Sequence, residues 1–103
     1  MAKFELRYSP LFYEDLDKIT DYLLFELKNE LAAKKLVDNV EEAIKKRLAA
    51  SPLSATTYCS LVRRSHPYRR ILVSNYLIFY VVIDDSMIVR RMLYGRRDLD
   101  RIL

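Results

Sequence analysis

The chain has 103 residues, 51% of them hydrophobic, with 18 basic and 14 acidic side chains and a formal net charge of +4. That length suits one domain spanning 1–103, and that hydrophobic share excludes disorder. One cysteine excludes an internal disulfide, no apolar run approaches the ~18 residues of a membrane helix, and no charged-then-apolar leader is recognisable, so a cytoplasmic protein without membrane contact is expected.

Lys3 to Tyr8 alternates, with Phe4, Leu6 and Tyr8 on one side and Lys3, Glu5 and Arg7 on the other, which predicts a half-buried strand. Ser9-Pro10 then opens a helix, Ser9 as N-cap and Pro10 at the first helical position, where its missing N–H costs nothing. Phe12, Leu16, Ile19, Leu23 and Leu27 recur at helical spacing, while Glu14, Asp15, Asp17, Lys18 and Asp21 lie mostly off that stripe. A break at Lys28-Asn29 leads into a second helix capped by Asn29, with Ala33, Leu36, Val37, Val40, Ala43, Ile44 and Leu48 as its apolar stripe. It stops at Ser51, because Pro52 disfavours a helical residue before it. So short a connection predicts an antiparallel helical hairpin whose apolar stripes are covered by a sheet.

Residues 53–57 read as a loop, Tyr58–Val62 as a short strand and 63–67 as an exposed connection. From Tyr68 the composition becomes β-branched and aromatic almost throughout, broken only at Ser74-Asn75 and Asp84-Asp85-Ser86. These turn formers divide the stretch into strands Arg69–Val73, Tyr76–Ile83 and Met87–Tyr94. Residues 97–103 are expected as a terminal helical turn or a docked tail. The fold class is therefore α+β: an N-terminal strand, an antiparallel helical hairpin, then a three- to four-stranded antiparallel meander with the helices on one sheet face.

Charge is distributed unevenly along this plan. Residues 1–52 carry nine basic against ten acidic side chains; residues 53–103 carry nine against four, and all nine are arginine. Arginine offers a planar donor fork suited to phosphate and carboxylate, so the C-terminal half is expected to face an anion-rich partner, nucleic acid or an acidic protein segment. Four arginine pairs stand in or beside the strands, at 63–64, 69–70, 90–91 and 96–97. Alternation sends one member of each strand-embedded pair toward the helices, where it must find a carboxylate or the sheet edge, and the other toward the open face; the alternative is that the pairs are surface charges matched to helix carboxylates such as Glu14 or Asp17. Tyr76, Ile78, Tyr80 and Val82 share one strand face; tyrosines there either pack the strand, the commoner case, or stack bases beside the arginines. His66 is the only histidine, Cys59 the only cysteine and Gly95 the only glycine, which leaves no metal-ligand spacing, no phosphate loop and no nucleophile–base arrangement. No cofactor or metal is expected. Any chemistry would rest on arginine for charge and on tyrosine or a carboxylate for protons.

Several stretches carry a resemblance that covers nearly the whole chain. They are Tyr8-Ser9-Pro10 entering Glu14-Asp15-Leu16, Ala32-Ala33, Glu41-Glu42-Ala43-Ile44, Ser51-Pro52, Tyr68-Arg69-Arg70, Asn75-Tyr76-Leu77-Ile78-Phe79-Tyr80 and Leu93-Tyr94-Gly95-Arg96-Arg97-Asp98. In order and wording they resemble the RelE/ParE toxin superfamily of bacterial type II toxin–antitoxin systems. The resemblance implies a growth-inhibiting toxin, of the kind involved in plasmid stabilization. A cognate antitoxin would neutralise it with an acidic or amphipathic segment, and operator DNA would be reached only through that complex; a homodimer is compatible with it.

RelE-like members cleave mRNA on the ribosome, whereas ParE-like members poison DNA gyrase on the same fold. Ribosome-dependent nucleases often place an arginine in the strand occupied here by Leu77-Ile78-Phe79, and many members have histidine where this chain has Tyr94. Both departures, with the Tyr-Arg-Arg entry and the Ile-Phe-Tyr strand, bring the chain closer to the ParE branch. The expected surface for target or antitoxin comprises Arg69, Arg70, Arg90, Arg91, Tyr94, Arg96 and Arg97. A nuclease would instead gather Arg70, Arg90, Tyr94 and Arg96 around the scissile phosphate. A decayed toxin would keep only its antitoxin contacts.

Overall fold

The computed structural model describes residues 3–54 and 67–95. The expected strand at Tyr58–Val62, the connection through His66 and the C-terminal turn lie outside them. Strand β1 (Glu5–Tyr8) leads into α1 (Pro10–Asp21), α2 (Glu30–Ala50) and the strands β2 (Arg69–Val73), β3 (Tyr76–Ile83) and β4 (Ser86–Tyr94). The four strands form one sheet in the order β1-β4-β3-β2. β2, β3 and β4 are the expected antiparallel meander, but β1 lies parallel to β4, Glu5 opposite Ser86 and Tyr8 opposite Val89. The sheet is therefore mixed, and α1 and α2 form the crossover that a parallel pairing of β1 with a later strand requires.

Both hairpin turns take a positive φ at their first central residue, 56° at Ser74 and 52° at Asp84. That is the backbone hand that matches strand twist, and short polar side chains tolerate it.

One departure from the expected pattern lies at the end of the first helix. The regular α-helix stops at Asp21 and a π-helical turn spans Tyr22–Glu26, with Leu27 N–H donating to Tyr22 O at 3.1 Å. Thr20 Oγ1 donates back to the Leu16 carbonyl at 3.0 Å, a side-chain competitor that bends helices just where the ladder changes. The extra residue of the wider turn rotates the side chains beyond it about the helix axis. Leu23 still packs on the core, but Leu27, expected on the apolar stripe, is 55% exposed. Lys28, at φ 49°, ends the turn, and Asn29 caps α2 as expected, accepting from Ala32 N–H at 3.0 Å.

The main core lies between the helices and one face of the sheet. Phe12 of α1 and Leu36, Val40 and Ile44 of α2 meet Ile71, Val73, Ile78, Tyr80, Met87, Val89 and Met92. Tyr80 is wholly buried, and its hydroxyl donates to Pro52 O at 2.6 Å and accepts from Arg47 at 3.1 Å. The face shared by Tyr76, Ile78, Tyr80 and Val82 is thus the packed one, and the packing role expected as the commoner case holds there. The opposite face carries its own buried pair, Phe79 and Leu93, with Tyr68 edge-on to Phe79 at 6.0 Å. It is not the uniformly open surface expected from the alternation.

Candidate target-binding site

Placement of the arginines is decided by one irregularity in the ladder. Phe79 pairs with Arg91 but Tyr80 pairs with Val89, so Arg90 is an extra residue without a partner across the strand. A bulge of this kind bends the strand and re-aims its side chains. Simple alternation through Arg90-Arg91 therefore fails.

Arg91 shares its ladder position with Phe79, yet its guanidinium is held by α1. Nε donates to Asp15 Oδ2 at 2.7 Å and a terminal nitrogen donates to Oδ1 at 3.0 Å, a two-point fork. The same Oδ2 accepts from the backbone N–H of Met92 at 3.0 Å. The reason lies in the sheet. β1 covers the edge of β4 only as far as Val89, where Ser9 N–H donates to the Val89 carbonyl at 2.8 Å and the chain turns into α1. Beyond that point no strand of the described residues pairs with β4 on that side, and the Asp15 carboxylate accepts from the N–H of Met92. Asp15 is the one buried charged residue among the described residues, and the fork holds the Arg91 guanidinium in its charged form.

The expected helix carboxylate is thus Asp15 rather than Glu14 or Asp17. Its signal was legible: Phe12, Asp15 and Ile19 are spaced three and four apart, which places Asp15 on the buried stripe and not off it.

The second strand-embedded pair follows the alternation. Arg69 stands opposite Tyr80, on the helix side, and donates to Leu53 O at 3.3 Å; Arg70 stands opposite Phe79, on the far side, with an exposed side chain. The Arg70 carbonyl accepts from Arg47 at 3.3 Å, which ties β2 to the end of α2. Tyr94 stands opposite Tyr76, their rings 6.0 Å apart and edge-to-face. Phe79 and Tyr76 are three residues apart on β3 and face opposite sides. Arg70 and Tyr94 consequently lie on opposite faces and on different strands flanking β3. The sheet brings together neither these two nor Arg90 with a ladder partner; Arg96 and Arg97 lie outside the described residues. Among the described residues no group of three or more His, Cys, Asp or Glu is placed to hold a metal.

Comparison with known proteins agrees with this architecture. A chain of the chromosomal ParDE toxin–antitoxin system from P. aeruginosa superposes with a TM-score of 0.74 at 18% identity, covering 91% of this chain and 98% of that one. The RelB-RelE antitoxin-toxin complex from Methanococcus jannaschii gives 0.52 at 23%, covering 94% and 99%, and YafQ from E. coli gives 0.51 at 10%, covering 88% and 92%. At these identities the likeness is one of fold. No curated protein sequence matches the chain. The sequence profile of the ParE toxin of the type II toxin-antitoxin system, parDE, matches residues 6–99. A match over that span means that the chain belongs to the ParE toxin family and is a toxin of a type II toxin–antitoxin system, within the RelE/ParE superfamily.

Proposed function

We propose that this toxin acts in the cytoplasm as a ParE-like inhibitor of DNA gyrase, working by binding rather than by cleaving RNA, and that a cognate antitoxin with an acidic segment neutralises it. The observation that carries this reading is the separation of Arg70 from Tyr94. An endoribonuclease needs its charge-stabilising arginine and its proton-transferring group around one phosphate, within hydrogen-bond reach of the reacting atoms. Here two members of that set, Arg70 and Tyr94, face opposite sides of the sheet. Arg91 is committed to Asp15, which leaves it a structural cation. An exposed Arg70 on an arginine-rich half still suits a protein surface bearing carboxylates, and arginine is enriched at such contacts.

The test is a supercoiling assay with purified gyrase. The full chain is expected to inhibit supercoiling and to accumulate cleaved DNA at stoichiometric toxin. Arg70→Glu is expected to raise the required concentration roughly tenfold or more, as loss of a charged interface contact does. Full gyrase activity at saturating toxin would refute the reading.

A further inference from the structure

A half-open groove of about 420 Å³ runs between α1 and the end of β4, and neither family membership nor the gyrase reading gives it a role. Lys18 and Tyr22 line it from the helix side, Tyr76 and Tyr94 from the sheet, and the Asp15–Arg91 pair lies beside them. Three properties set its ligand chemistry. First, among the described lining residues the one carboxylate, Asp15, is already engaged by a guanidinium fork and a backbone N–H, and Lys18 brings an ammonium beside it. Second, the hydroxyls of Tyr22, Tyr76 and Tyr94 and the Lys18 ammonium make no hydrogen bond among the described residues, so four donor groups there face a ligand rather than a neighbouring side chain. Third, aromatic rings stand on both walls: Tyr22, 54% exposed, at the start of the π-helical turn, and the Tyr76–Tyr94 edge-to-face corner on the sheet.

We propose that this groove binds one nucleotide, the base stacking on its tyrosines and the phosphate on Lys18. Tyrosine faces stack bases with little regard to sequence, and an ammonium with phenolic donors matches phosphate oxygens. The volume lies within the range of small-molecule pockets, ~300–1,000 Å³, and suits a single nucleotide rather than a length of peptide. π-helical turns frequently accompany functional sites, and this one starts at Tyr22. The ligand is either a free nucleotide or one unpaired nucleotide of a strand, since both present the same base and phosphate. The proposal concerns binding alone and stands apart from the gyrase reading.

The experiment titrates the full chain into 2-aminopurine nucleoside 5′-monophosphate, whose fluorescence falls on stacking. Saturable quenching is expected. Tyr22→Ala should weaken it roughly five- to hundredfold, the range of base–aromatic stacking losses, and Tyr22→Phe should restore it. Lys18→Gln should weaken the monophosphate but not the corresponding nucleoside, and Lys34→Gln on exposed α2 should change nothing. Tyr22 is half-exposed, so unchanged thermal unfolding will verify that its variants fold. Much tighter binding of a six-residue oligodeoxynucleotide would identify the strand as the source, and equal binding the free nucleotide; both support the site. Absence of saturable quenching at millimolar ligand, quenching indifferent to Tyr22→Ala, or occupation of the groove by a glutamate-rich peptide but not by nucleotide would overturn it.

Discussion

Asp15 and Arg91, 76 residues apart in the chain, share a two-point ion pair of 2.7 and 3.0 Å that also anchors the β4 backbone through Met92 N–H. The pair joins α1 to the strand that carries Arg90 and Tyr94, at the point where β1 no longer protects the edge. Their side chains are 10% and 19% exposed, so water screens the pair only in part. Removing one partner of a fully buried pair costs ~3–5 kcal/mol. With the remaining exposure, Asp15→Ala is expected to cost about 2–4 kcal/mol, and Asp15→Asn less, since its amide oxygen still serves Met92. Urea unfolding midpoints measure both. A loss under about 0.5 kcal/mol for Asp15→Ala would make the pair an ordinary surface bridge.

Tyr80→Phe isolates a second tie. Its hydroxyl is the donor to Pro52 O and an acceptor for Arg47, inside a core where Tyr80 is wholly buried. Losing it strands a buried carbonyl, at a cost of about 1–3 kcal/mol. Thermal unfolding at neutral pH reads this loss, and a neutral substitution would show that another donor reaches Pro52.

Tyr8 gives the fold an alkaline limit. Burial raises its phenol above the usual value of 10.0, reinforced by Tyr13 and Glu41 and opposed by Lys45. A group that holds its proton more tightly when folded contributes stability that is whole below the unfolded pKa and is lost as pH rises through the folded one. Stability is therefore expected to fall above about pH 10. Lys45, raised chiefly by its hydrogen bond to Glu41, titrates in the same direction and persists in Tyr8→Phe. The difference between the two proteins thus isolates Tyr8. Unfolding midpoints across that range should flatten in Tyr8→Phe; identical slopes would show that Tyr8 sets no such limit.

Much of this architecture can be read from side-chain type alone. Arg69–Val73 and Tyr76–Ile83 form strands with the expected bounds and β4 begins one residue early, at Ser86, because β-branched and aromatic runs between polar turn residues have few other solutions. Asn29 caps α2 for a similarly local reason. Features set by backbone insertions were not legible. Periodicity carried the first helix through Leu27, whereas the π-helical turn breaks the phase at Tyr22. The bulge at Arg90 likewise decides where Arg91 reaches, and nothing in an Arg-Arg dipeptide announces it. The parallel partner of β1 was hidden too, since a half-buried strand pattern says which face is apolar and not which strand lies beside it. Charge misled in one place. Asp15 was grouped with its acidic neighbours, although its spacing from Phe12 and Ile19 put it on the buried stripe.

The most direct measurement is induction of the full chain in growing cells without antitoxin, scoring DNA damage and ribosomal A-site mRNA cleavage in the same culture. Gyrase poisoning predicts growth arrest with DNA breaks, induced DNA-damage response and intact A-site codons. Arrest with cleaved A-site mRNA and undamaged DNA would contradict it, as would normal growth with verified soluble protein.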